Sequence, residues 1–173
     1  SDHAIDAERP LFEVRFDDTP YRHVSDDDAR LLDAPLLLLT ADAFGGASRC
    51  VENSVAYAME REQFGRPIGM FQALKHQLAD MALEVEPSVG LFWYAAFLFD
   101  ETPASATAAI ALAKAHVTEL YAQVSRQIVE AHGGIGYTWE FGAHVWLKRA
   151  LFDRAFMGRP QQHRARYAEL QGW

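Results

Sequence analysis

Tyr57-Ala58-Met59-Glu60-Arg61-Glu62-Gln63-Phe64-Gly65-Arg66-Pro67-Ile68-Gly69-Met70-Phe71-Gln72 is the stretch on which the fold turns. Upstream of it, Phe44, Ala47, Val51, Val55 and Ala58 recur at spacings of three and four, the signature of a helix with one buried side. Within it, Gly65 supplies a permissive backbone and Pro67 blocks continuation of a helix, and Phe71 then opens a second apolar periodicity. The stretch therefore reads as a corner between two long helices.

The corner also carries charge. Arg61 and Arg66 bracket Phe64, and Gln72 follows in the first turn of the next helix. Two guanidiniums beside exposed turn amides make an anion site, with phosphate the natural guest. The same residues also suit a purely structural role, because Arg is favoured at a helix C-terminus and Phe64 can plug a core.

Beyond the corner, Leu74, Leu78, Met81, Val85, Val89, Phe92 and Phe99 continue a second helix, with a kink or break expected at Pro87. Thr102-Pro103 caps and opens a third, alanine-rich helix through Ile128, which stops at Gly133. Gly133-Gly134-Ile135-Gly136 follows no strand, so it is a helix stop and tight turn and not a dinucleotide fingerprint of the Rossmann type. A fourth helix is expected from about Ala143 to Met157 and a short fifth to about Leu170. The first helix has two candidate starts, a capping box at Ser25 and Asp28 and a second at Asp33 with Pro35 in the first turn. Gly45-Gly46 inside it points to a close helix crossing. Residues 1–10 read as a disordered start, and Leu11–Phe16 has partial strand character. The fold expected is all-α, an antiparallel four-helix-type bundle over residues 25–173, preceded by a tail and short strand remnant over residues 1–24.

Composition narrows the function. Of the 173 residues half are apolar, enough for one core, and the net charge of -8 argues against a nucleic-acid partner. A single cysteine, Cys50, excludes an internal disulfide and fits a reduced, cytoplasmic setting. The longest apolar run, Val89–Phe99, is too short to span a bilayer, so no membrane span is expected. His76 and Asp80 lie four apart on one helix face, but no Glu-x-x-His occurs, so a hydrogen bond is the better reading than a metal site.

The ordered pair of motifs, Tyr57-Ala58-x-x-Arg61-x-Gln63-Phe64-Gly65-x-Pro67-Ile68-Gly69-x-Phe71-Gln72 and His132-Gly133-Gly134-Ile135-Gly136-Tyr137-Thr138-Trp139-Glu140, resembles the C-terminal helical domain of acyl-CoA dehydrogenases. His76, Leu78–Met81 and Lys148-Arg149-Ala150 extend the resemblance. It implies an FAD-dependent scaffold that removes a proton from Cα and a hydride from Cβ of an acyl-CoA thioester. The helical domain of that family drives oligomerisation and lends its corner to a neighbouring subunit's FAD. By motif position Arg61, Gln63, Phe64 and Gln72 would face the diphosphate and adenosine side, and Glu130, Gly133 and Gly134 would face another part of the cofactor. Leu11–Phe16 would be the last strand of a preceding β domain.

The chain departs from that family in two places. Glu130 stands where relatives commonly carry Gln, and a carboxylate accepts hydrogen bonds but repels phosphate. The positions that hold the catalytic Glu in relatives are Met157, within Phe156-Met157-Gly158-Arg159, and Pro35, neither of which can take a proton. Asp33 lies close to Pro35 but reads better as a cap, and Glu140 as structural. No catalytic residue is assigned. The resemblance thus implies a subunit or fragment that completes the FAD site of a homo- or hetero-oligomeric acyl-CoA enzyme whose partner carries the base. A non-catalytic oligomerisation module and an acyl-CoA oxidase are the alternatives.

Overall fold

The structure, a computed structural model, describes residues 5–6, 9–23, 27–138 and 142–173. Among them are six helices, α1 (Asp28–Glu60), α2 (Gln72–Val85), α3 (Ser88–Glu101), α4 (Pro103–His132), α5 (Ala143–Ala155) and α6 (Pro160–Leu170). The strands β1 (Glu62–Gln63) and β2 (Arg66–Pro67) form a hairpin between α1 and α2. The all-α bundle expected from the periodicities is the fold observed.

Asp27 caps α1, its carboxylate accepting from the Arg30 amide at 2.9 Å. Of the two expected starts, Ser25 lies outside the described residues, and the second is not used, since the helix runs straight through Asp33 and Pro35. An interior proline costs about 3 kcal/mol through its lost amide. Burial of Leu36, Thr40, Ala43, Ala47, Cys50 and Ala58 along one face of α1 outweighs that. Asp33 is therefore no cap. It is buried, accepts a hydrogen bond from Thr107 on α4, and lies 3.7 Å from the Arg166 guanidinium on α6.

Helix α4 is the axis of the bundle, with Ile110, Val117, Tyr121, Val124 and Ile128 buried between α1, α3, α5 and α6. Successive long helices are antiparallel, which leaves α1 and α4 side by side and parallel: Asp33 meets Thr107, Gly46 meets Tyr121, and Tyr57 meets His132. The crossing predicted at the glycine pair occurs at Gly46 alone. A methyl group there would sit 2.4 Å from the Tyr121 ring, whereas at Gly45 it would meet nothing. Pro87 separates α2 from α3, and Pro103 opens α4, as the sequence indicates. His76 and Asp80 are both exposed on α2 and share no hydrogen bond.

Two expectations fail at the N-terminal side. Leu11–Phe16 is not a strand: Phe12, Val14 and Phe16 are all exposed, and among the described residues no strand lies beside them to satisfy their backbone. Of residues 1–10, 1–4 and 7–8 lie outside the described residues; Asp6 is buried and Arg9 is ion-paired to the bundle, so these two are not detached. In addition, α1 and the α2–α3 arm are long and apolar enough on average to cross a membrane, which run length alone had hidden. Both apolar faces contribute to the core, and the arm carries Lys75, Asp80, Glu84 and Asp100.

A charged network is folded into this core. Lys114, fully buried on α4, donates to the Asp153 carbonyl oxygen at 2.6 Å. Desolvation lowers its ammonium to about 8, despite the nearby Asp153 carboxylate. Desolvation also pushes the Asp153 carboxyl up to about 8, with the neighbouring Asp42 adding to the effect. Burial likewise lifts the Cys50 thiol to about 12, so it is a packing group and not a nucleophile.

Two outcomes follow from this packing. Gly46→Ala should destabilise the chain by about 1–3 kcal/mol through overpacking against Tyr121, measured by urea denaturation, while Gly45→Ala should not destabilise it. Because the folded Asp153 holds its proton up to about 8 against 3.8 for the free group, its contribution to stability should fall as pH rises between those values. Lys114 acts with the opposite sign, adding stability between about 8 and 10.5. Asp153→Asn should flatten the fall in a pH series of denaturation midpoints.

Candidate functional site

The corner begins where α1 stops. Arg61 leaves the helix in an extended conformation, its amide still bonded to Tyr57, and its carbonyl accepts from the Ile68 amide at 2.8 Å to close the hairpin. Gln63 pairs with Arg66 across a two-residue turn of Phe64 and Gly65, whose φ values are 55° and 76°. Such mirror-type turns match the strand twist and ordinarily select Asn or Gly at the first position. Phe64 pays a backbone penalty there and is still 91% exposed. Its ring makes only an edge contact, 6.0 Å between centroids, with Phe71.

Strand alternation puts Arg61, Gln63 and Arg66 on one face of the hairpin and Glu62 on the other. The two arginines expected to act alike are not equivalent. The Arg66 guanidinium lies 4.2 Å from the Phe71 ring centre, whereas Arg61 is exposed with its guanidinium uncommitted among the described residues. Gln72 is exposed at the first position of α2. Gly69 lets the corner press onto α1, since a Cβ there would lie 3.1 Å from the Ala58 carbonyl.

The second element is the end of α4. Gly133 stops the helix at φ 60°, and the short 3-10 turn Gly133–Tyr137 folds back on it, with a Cβ at Gly136 only 2.6 Å from the Val129 carbonyl oxygen. Gly133 and Gly134 are exposed, and a Cβ on either would meet nothing within 4 Å, so their backbone is open to an outside group. Glu130 is exposed one turn earlier. Trp139 and Glu140 lie outside the described residues.

Parallel packing of α1 and α4 brings these two elements to the same end of the bundle. Tyr57 and His132, each in the last turn of its helix, stack with ring centroids 4.3 Å apart. His132 donates from Nδ1 to the Ile128 carbonyl at 2.6 Å, and burial lowers its pKa, which keeps it neutral. A groove of roughly 260 Å³ runs past this pair, lined also by Asn53, Glu60 and Trp146. Neither Tyr57 nor His132 stands out in the sequence as a link, because periodicity shows which residues are buried and not which helix lies opposite.

The proton-transfer positions are at the far end. Pro35 is inside α1, Met157 sits in a turn at φ 58° with its carbonyl 3.1 Å from His163 Nε2, and Asp33 is committed to Thr107 and Arg166. None of these three side chains is an uncommitted carboxylate. A flavin dinucleotide fits the residues present at the corner: a free guanidinium and turn amides for its diphosphate, an exposed ring for stacking, and bare glycine backbone for close approach. Glu130 is the one member that opposes an anion.

Comparison with known proteins agrees with this geometry. Residues 32–170 match the family model for the acyl-CoA dehydrogenase C-terminal domain. The chain is 38% identical over 136 residues to the acyl-CoA dehydrogenase IpdE2 of Mycolicibacterium smegmatis, covering 79% of this chain and 42% of that protein. Among solved structures, butyryl-CoA dehydrogenase from Megasphaera elsdenii superposes with a TM-score of 0.79 at 26% identity, over 84% of this chain and 38% of that one. PigA with FAD and proline superposes with a TM-score of 0.76 at 28% identity, over 82% and 37% respectively. The chain thus spans about two-fifths of the length of the relatives it matches. On the shared helical fold, the matching corner motifs and these likenesses, the chain belongs to the acyl-CoA dehydrogenase family and constitutes its C-terminal helical domain.

Proposed function

We propose that this domain supplies one wall of the FAD site in an oligomer of acyl-CoA dehydrogenase subunits, and that the base for α,β-dehydrogenation of an acyl-CoA comes from a partner subunit. The observation that carries this reading is Phe64: a large ring held in a left-handed backbone, 91% exposed, beside an uncommitted Arg61. A folded chain gains nothing by itself from that arrangement, so its counterpart lies outside the chain. Arg61, Gln63 and Gln72 would hold the diphosphate and adenosine side, and the Gly133–Gly134 backbone would take a close contact. Bound FAD supplies the hydride acceptor; the residues of this chain orient it and neutralise its charge.

Several features support assembly. Leu83, Trp93, Tyr94 and Phe97 expose a broad apolar surface along α2 and α3, of the kind that a neighbouring subunit covers. The free, buried Cys50 suits a reducing compartment and hence a cytoplasmic enzyme. A second reading, a helical scaffold that has lost its flavin, is favoured by Glu130 and by the lack of a carboxylate at Pro35 and Met157.

Flavin content of the purified assembly separates the two. Arg61→Ala removes a charge-assisted contact of about 1.5–3 kcal/mol and should weaken flavin retention about 10- to 100-fold, with the chain's own stability within about 0.5 kcal/mol of wild type. Phe64→Gly should relieve the turn and leave folding intact while also loosening flavin. If both variants retain flavin as the parent does, the corner has no cofactor role; if the parent assembly holds none at saturating flavin, the scaffold reading stands.

A further inference from the structure

We propose that the segment bearing Asp6 and Arg9 is a strap, and that the Arg9 guanidinium is the latch that fastens it across the seam between α1 and α5. One nitrogen of Arg9 lies 2.8 Å from Asp42 Oδ1 on α1, and another lies 2.9 Å from Asp153 Oδ1 on α5. Asp153 has no exposed surface, so this contact is made inside the seam and not on the surface. Beneath it the strap is held a second time, with Asp6 buried and 3.3 Å from the Arg149 guanidinium of α5.

Charge explains why a cation is required there. Asp42 and Asp153 come from different helices to the same seam, where two full negative charges side by side would be costly: the buried Asp153 carboxyl is pushed up to about 8, and the Arg9 guanidinium spans both side chains. Lys114 approaches from α4 and donates to the Asp153 backbone carbonyl, while the side-chain oxygens of Asp42 and Asp153 meet Arg9. A planar guanidinium spans two acceptors as an ammonium cannot, so lysine is a poor replacement. Few apolar groups of the strap are buried: Ile5 and Leu11 are about half exposed, and everything from Pro10 to Tyr21 lies on the surface. Among the described residues the segment is therefore held by the polar contacts of Asp6 and Arg9, with the Arg9 guanidinium also 5.8 Å from the centre of the Phe152 ring, and not by burial of large apolar side chains. The consequence is positional. The latch fixes where the chain enters the bundle, and with it where the exposed side chains of Phe12, Val14 and Phe16 are held.

A nitroxide at position 11 reads the latch directly. Cys50 is buried with a raised thiol pKa, so a Leu11→Cys chain labels at one site. The spectrum of the parent should show restricted motion, and Arg9→Gln should convert most of it to a mobile line shape, with Arg9→Lys falling between. Far-ultraviolet circular dichroism checks that the helices persist. Should Arg9→Gln fail to fold, Asp42→Asn tests the same fork, because it removes one acceptor while also relieving the repulsion, and it should raise the mobile fraction. A parent that is already mobile, or Arg9→Gln and Asp42→Asn spectra identical to a restricted parent, overturns the latch.

Discussion

The contact between Gly46 and Tyr121 is the constraint from which the architecture follows. With no side chain at Gly46, the Tyr121 ring of α4 lies directly against the α1 backbone, and the two longest helices approach as closely as they can. Their parallel alignment is locked in register by Asp33 with Thr107 at one end and by Tyr57 with His132 at the other. Everything else is arranged around that pair: α2 and α3 return along α1, and α5 and α6 cover α4.

One effect of this register is a division of labour between the ends of the bundle. The end where α1 and α4 terminate exposes a hairpin, two bare glycines and an uncommitted guanidinium, all groups that recognise an anion or a flat ring. The opposite end, which holds Pro35, Asp33 and Met157, is packed with apolar side chains, and there Asp33 accepts from Thr107 and lies 3.7 Å from the Arg166 guanidinium. Pro35 and Met157 are a proline inside α1 and a methionine in a turn, side chains that cannot take a proton.

The buried charges show how this core tolerates polarity. Lys114, Asp153 and Asp6 are buried, and the partly exposed Asp42, Arg9 and Arg149 join them into a continuous polar network in which the buried members would be costly alone. It joins three helices to a segment far away in sequence. Such a network specifies a unique arrangement more than it adds stability, because an apolar seam could slide and this one cannot.

The end of α1, the breaks at Pro87 and Pro103, the stop at Gly133 and both corner motifs were legible in the chain, because each depends on local chemistry: side-chain periodicity, a missing amide, a permissive glycine. That Arg61, Gln63, Phe64 and Gln72 lie together at a corner was legible for the same reason, being close in sequence. Asp33 misled because its cap-like neighbourhood was outvoted by burial along α1. Leu11–Phe16 misled because alternation marks a strand only where a partner backbone exists. That Arg66 is spent on Phe71, that Lys114 in its alanine-rich run is buried, and that Arg9 reaches two helices more than 30 residues away were decided by tertiary structure alone. A side chain's partner across the core depends on which helix lies opposite and in what register. That is a property of the packed whole, and no local stretch encodes it.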